Sequence, residues 1–150
     1  MPTRHIAPLG IFLILTSHQA GAQRRPSKST THKVSVAVPT ATSQGAYTAA
    51  QAGRGRQLYR ANCSSCHAAT AYTGATFRQL YVGRTAYDLV SLIRETMPND
   101  DPGKLSAQQY VNIVAYLFQL NGYPPGTRAL SVEDAALKRI AIDQAPEKSN

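Results

Sequence analysis

The stretch "ANCSSCHAAT" at residues 61–70 holds the only two cysteines of the chain, Cys63 and Cys66, with His67 directly after the second. Two thiols and an imidazole at this spacing have three chemistries open to them: a redox dithiol, half of a zinc site, or the attachment point of a haem. A structural bridge is a poor use for them, because closing so short a loop removes little entropy from the unfolded chain. The elements around the motif must decide among the three.

The N-terminus speaks to compartment. "MPTRH" is a short basic start, "IAPLGIFLILT" is apolar, and "SHQAGA" ends with Ala20 and Ala22 in a small-x-small arrangement. This pattern predicts an export leader over 1–22, cut after Ala22. The apolar run is too short for a membrane span, which takes about 20 residues. The expected product is a soluble protein of the periplasm.

The chain has 16 basic and 8 acidic side chains, a formal charge of +8. Four of the basic residues, Arg24, Arg25, Lys28 and Lys33, fall in the Ser/Thr/Pro-rich stretch 23–46, which holds no acid. That composition predicts a disordered basic tail. Over 47–150 there remain 11 basic and 8 acidic residues, so the folded part is nearly balanced. The charge therefore does not point to nucleic acid. The tail reads first as a solvated spacer, with contact to an anionic membrane surface or an acidic partner as the alternative.

Beyond the tail the apolar spacing is helical. A first helix over 47–61 runs into the cysteine motif, and its Gly53 and Gly55, poor helix formers, predict a close neighbour. Thr85 to Asp88 opens a second helix with a capping-box pattern, Leu89, Leu92 and Ile93 form its inner stripe, and Pro98 ends it. Ser106 to Gln109 opens a third, with Tyr110, Ile113, Val114, Leu117 and Phe118 inward, closed by Asn121-Gly122. A short helix after Ser131 is expected to bury Leu137 and Ile140. The fold class is all-α, with a helical domain over 47–126 and a C-terminal extension over 127–150. Three main helices give little core for a domain of this size, so a large apolar cofactor would help to fill it.

This setting sorts the chemistries. A thioredoxin-like dithiol expects a βαβ unit. Structural zinc needs four ligands, and after the leader only Cys63, Cys66, His67 and His32 are on offer. A C-x-x-C-H in an exported helical chain reads instead as a haem c site. Cys63 and Cys66 would form two thioethers to one haem, with His67 as an axial iron ligand. For the other axial position the candidates are His32, in the basic tail, and Met97, in "TMPNDDPGKLS". Met97 is preferred, because Pro98 fixes its backbone and the following loop is polar rather than core-like. Arg78 and Arg84 are candidates to pair with the propionates, since the guanidinium fork binds both oxygens of a carboxylate. Tyr72 and Tyr81 are candidates either to line the pocket or simply to pack.

Over about residues 47–142 the chain is similar to the small class I c-type cytochromes, on the segments "GRQLYRANCSSCH", "TMP" and "NIVAYLFQLNGYP". The resemblance implies a few helices wrapped round one haem, with Gly55 and Tyr59 of the first helix crossing Ile113 and Tyr116 of the third. More narrowly, "LIRETMPNDDPGKLSAQQYVNIVAYLFQLNGYPPG" and the following "LSVEDAALKRIAI" resemble the cytochrome domains attached to or working beside quinoprotein alcohol dehydrogenases. The chain departs from the class in two places. Ala68 stands where glycine is usual, and "AATAYTGATFRQL" lacks the proline whose carbonyl accepts the Nδ1 proton of the axial histidine. A carbonyl near Gly74–Thr76 is expected to replace it.

The function this implies is one-electron transfer with no catalysis of its own, as a free carrier or as the haem subunit of a dehydrogenase complex. Redox proteins are the expected partners: a quinoprotein dehydrogenase as donor, a terminal oxidase or another cytochrome as acceptor. The alternative is a haem enzyme or sensor in which Met97 is labile and a gas or peroxide binds.

Overall fold

A computed structural model describes residues 38–146. The expected leader, His32 and the basic residues Arg24, Arg25, Lys28 and Lys33 lie outside the described residues. Five helices follow in order: α1 Ala49–Asn62, α2 Gly74–Tyr81, α3 Ala86–Thr96, α4 Ala107–Leu120 and α5 Asp134–Leu137. Thr42–Gln44 and Ala69–Tyr72 are single 3-10 turns. Among the described residues extended pairing is limited to two isolated bridges, Ala41 with Ala141 and Thr85 with Ala141. Among the described residues the fold is all-α, as the apolar spacing implies, and its helices follow the order that the resemblance to small c-type cytochromes leads one to expect.

Local chemistry starts three helices. Thr48 accepts a hydrogen bond from the Gln51 N–H at the start of α1. Thr85 with Asp88, and Ser106 with Gln109, form reciprocal capping boxes that open α3 and α4, each satisfying two otherwise orphaned backbone donors. α4 is the central helix. Tyr110, Ile113, Val114, Leu117 and Phe118 are buried as their spacing requires, and so are Val111, Asn112 and Ala115.

The most extensive helix–helix contact among the described elements is α1 on α4, and it closes at Gly55. A Cβ there would sit 1.8 Å from the Asn112 carbonyl oxygen and 3.0 Å from Tyr116 Cβ. Gly53 has no neighbour within 4 Å of such an atom, so only one of the two glycines marks the crossing. One turn on, Tyr59 packs its ring against Tyr116 at 5.6 Å between centroids.

The structure differs from the sequence reading at four places. Tyr47 precedes α1; it is buried and donates its hydroxyl to the Tyr123 carbonyl at 2.6 Å. Residues 74–81, read as loop, form α2, whose first N–H is capped from another helix by Asn121 Oδ1 at 3.0 Å. Leu92 is 46% exposed; Leu89 and Val90 make the buried side of α3 instead. Finally, the boundary at residue 47 lies too late. Thr42 and Ala46 are buried, and the backbone of Thr40 and Thr42 pairs with Ala141.

The C-terminal extension closes the fold through specific polar locks. The buried Gln51 side chain donates to the Leu130 carbonyl at 3.0 Å and accepts from the Leu130 N–H at 2.8 Å. Residues 140–142 bond Gly83, Arg84 and Ala86 through the backbone. Asp143 accepts from the Thr42 hydroxyl at 2.8 Å, from the Ser43 N–H at 3.0 Å, and from the Ser43 hydroxyl. Leu130, Leu137, Ile140 and Ile142 are buried beneath these bonds.

Two outcomes follow from this packing. Gly55→Ala should cost about 1–3 kcal/mol by overpacking, because the atom it meets is rigid helix backbone; Gly53→Ala should be neutral or stabilising. Thermal unfolding of the two variants checks this, and equal losses would place the crossing elsewhere. At Asp143 burial pushes the carboxyl up, but the bonds from Ser43 and Thr42 outweigh it and hold it below its ordinary value. A depressed carboxyl adds stability above the unfolded value of about 3.9, lost as pH falls below it. Stability of the parent should therefore drop below about pH 4, and Asp143→Asn should flatten that acid limb in unfolding curves taken across pH.

Candidate functional site

The cysteine motif is the direct continuation of α1. Cys63 caps the helix, its N–H donating to the Tyr59 carbonyl at 2.8 Å. The Cys66 and His67 N–H groups both return to the Cys63 carbonyl, at 3.2 and 2.9 Å. This tight turn follows from the short spacing, and it brings both thiols and the imidazole to one wall. Ala68 has φ −64° and ψ 133°, an extended backbone that any residue adopts, so the chain does not need glycine there.

That wall belongs to a cavity of about 620 Å³. Cys63, Cys66 and His67 contribute to it, together with Tyr59, Tyr72 and Tyr81. α3 supplies Leu92 and Ile93, and α4 supplies Ile113 and Leu117. The exposure of Leu92 is thus exposure to the cavity. Met97 lines the same space, brought there from 30 positions along the chain by the end of α3, which it caps.

Both candidate axial residues are held by buried tyrosines. The Tyr59 hydroxyl donates to the His67 carbonyl at 3.0 Å. The Tyr110 hydroxyl donates to the Met97 carbonyl at 2.8 Å, while the Met97 N–H donates to the Ile93 carbonyl at 2.8 Å. Burial above all pushes the Tyr59 phenol up to about 12, so it remains a donor throughout the physiological range. His67 Nδ1 lies 3.0 Å from the Tyr72 hydroxyl, with the two rings edge to face at 5.5 Å between centroids.

The arginines are elsewhere. Neither Arg78 nor Arg84 lines the cavity. Arg78 follows Phe77 on α2 and borders a separate, smaller depression with Asn121, Gly122 and Tyr123. The Arg84 backbone is engaged by Ile142 of the C-terminal extension, and its charge acts on Asp88 and Tyr81. Among the described residues the one Lys or Arg in the cavity wall is Lys104, which pairs with Asp100 at 3.1 Å. No spacing in the sequence singles Lys104 out; the path of the loop after Pro98 puts it there.

The donor set fits haem c. Two thiols one turn apart, an imidazole and a thioether meet in one largely apolar hollow, whose volume falls in the roughly 300–1,000 Å³ of cofactor pockets. Burial raises the Cys63 thiol, the opposite of the depressed value that a reactive redox dithiol needs. Among the described residues no three His, Cys, Asp or Glu side chains gather as a metal cage, so a zinc site lacks its ligands there.

Residues 50–117, a little under half of the chain, match the family model described as cytochrome c oxidase, cbb3-type, subunit III. No curated protein and no solved structure matches the chain. The matched segment runs from the first turn of α1 to Leu117 of α4, and so takes in the cysteine motif, Met97 and the helix crossing. The likeness to a c-type cytochrome domain over those residues, together with the Cys63–Cys66–His67 motif inside them, gives covalent haem c as the cofactor.

Proposed function

We propose that the protein is an exported one-electron carrier in which Cys63 and Cys66 hold the haem, and His67 and Met97 are its axial ligands. One observation carries this reading: the cavity wall joins Met97 to Cys63, Cys66 and His67 across 30 positions of sequence. Haem c supplies the Fe(III)/Fe(II) couple. The chain's residues do the rest. Cys63 and Cys66 would hold the haem covalently, each thiol adding across one vinyl group with its sulfur bonding to one carbon and its proton going to the other. The His67 and Met97 backbones, each held by a tyrosine, keep both donors in place in either oxidation state. A soft thioether donor from Met97 would favour Fe(II) and raise the potential over bis-histidine ligation. Leu92, Ile93, Ile113 and Leu117 give the cavity its apolar wall.

The periplasmic location rests on the leader pattern over residues 1–22. The oxidase-subunit description of the matching family favours a partner on the oxidase side of a respiratory chain. Donation from a quinoprotein dehydrogenase rests on the sequence resemblance over residues 92–126 and 130–142.

Attachment is tested on the purified mature protein. Its haem should resist extraction into acidified organic solvent, and its mass should exceed that of the polypeptide by one haem. Free extraction, or a titration that finds both thiols, overturns the reading. Ligation by Met97 is tested by Met97→Ala, which should lower the potential, remove the weak far-red sulfur-to-iron band and admit carbon monoxide readily. Fast carbon monoxide binding by the parent would favour a gas-binding or peroxide-binding haem protein instead.

A further inference from the structure

The loop between His67 and α2 lacks a proline, and residues 74–76, where a substitute carbonyl is expected, form the first turn of α2. Carbonyls there serve the helix ladder. Three carbonyls of the loop itself are also engaged: Ala68 O by the Ala71 N–H at 3.0 Å, Thr70 O by the Thr73 hydroxyl at 2.9 Å, and Tyr72 O by Asn121 Nδ2 at 2.9 Å. The group that does reach His67 Nδ1 is the Tyr72 hydroxyl, at 3.0 Å.

We propose that the Tyr72 hydroxyl, and not a backbone carbonyl, is the acceptor that orients the His67 imidazole, and that Asn121 sets the position of Tyr72. The inference rests on the reading of His67 as an axial ligand through Nε2. That ligation leaves the proton on Nδ1, so the imidazole donates and the phenol oxygen accepts.

Tyr72 is a positioning residue, and its own position is fixed from α4. Asn121 caps the C-terminus of that helix and uses both ends of its amide. Nδ2 donates to the carbonyls of Tyr72 at 2.9 Å and Leu117 at 2.8 Å, and Oδ1 accepts the Gly74 N–H at 3.0 Å. The turn that carries Tyr72 and the first N–H of α2 therefore share one anchor. That anchor sits on the helix whose Ile113 and Leu117 line the cavity and whose Tyr110 holds Met97. A rotation of the imidazole would break the bond to Tyr72, and a shift of Tyr72 would break the bonds to Asn121.

An acceptor on Nδ1 makes the imidazole a stronger donor to the metal, which favours Fe(III). Removing it should bias the couple toward Fe(II). Tyr72→Phe keeps the ring and deletes the acceptor. The haem-loaded variant should show a higher potential, by up to about tenfold in the Fe(II)/Fe(III) ratio, or about 59 mV for one electron. Its ferric low-spin EPR g values should move or broaden as the imidazole plane loses its restraint. Thermal stability should change little, which separates an effect on the ligand from a loss of packing. Asn121→Ala leaves the hydroxyl in place and should shift potential and g values in the same direction, less strongly. It also serves if the Phe variant does not fold.

Unmoved potential and g values in Tyr72→Phe, or in Asn121→Ala where that variant stands in, overturn the inference while leaving the ligation intact. A parent protein without a low-spin histidine-ligated ferric spectrum overturns the ligation and the inference together. The two failures are read from different samples.

Discussion

The Asn112 carbonyl oxygen lies so close to Gly55 that no side-chain atom can come between α1 and α4. Everything around the haem cavity depends on that approach. α1 ends in the cysteine motif, so the position of its last turn decides where both thiols and His67 stand. α4 carries Ile113 and Leu117 into the cavity, Tyr110 to Met97 and Asn121 to the loop after His67. A crossing wider by the width of a methyl group would move the two walls apart, because packed interiors do not absorb such a change without strain or voids. The tilted Tyr59–Tyr116 pair continues the same contact one turn toward the site.

Three tyrosines then connect this frame to the two candidate ligands. Tyr59 on α1 donates to the His67 carbonyl, Tyr110 on α4 donates to the Met97 carbonyl, and Tyr72 stands at His67 Nδ1. Tyrosine suits the task because its ring fills apolar space while its hydroxyl reaches a polar partner at the edge. Burial raises Tyr59 and Tyr72 above the ordinary phenol value, which keeps both protonated at neutral pH. Hydrogen bonds from α1 and α4 thus fix the backbones of His67 and Met97 on the two sides of the cavity wall.

The extension beyond α4 is a structural part of the domain rather than an appendage. Gln51 binds both backbone groups of Leu130, and Asp143 gathers Thr42 and Ser43. These locks join segments about 80 and 100 positions apart, so they close long loops with few bonds and bury Leu137, Ile140 and Ile142 as they do so. They also explain where Arg84 goes. Its backbone is committed to the bridge with Ile142, on the side of the fold that the extension covers, and it takes no place in the cavity wall.

Much of this was legible in the sequence because it is local. Capping boxes at Thr85 and Ser106, the apolar stripe of α4 and the compact Cys63–Cys66–His67 motif depend on neighbours within a turn or two, and residue types at fixed spacing record such relations directly. The helical class and haem c both follow from them. Three features were decided only by the tertiary structure: α2, the packing of residues 40–46, and the partner of His67. α2 has no cap of its own and begins where Asn121, 47 positions away, accepts its first N–H. Residues 40–46 have a composition that reads as tail until Ala141 and Asp143 supply their hydrogen bonds. The missing proline suggested another carbonyl, yet the three-dimensional path of the loop engages the carbonyls of Ala68, Thr70 and Tyr72 and brings a phenol to Nδ1. In each case the deciding partner lies outside the reach of local periodicity, and a hydrogen bond between distant segments leaves no spacing in the sequence by which to find it.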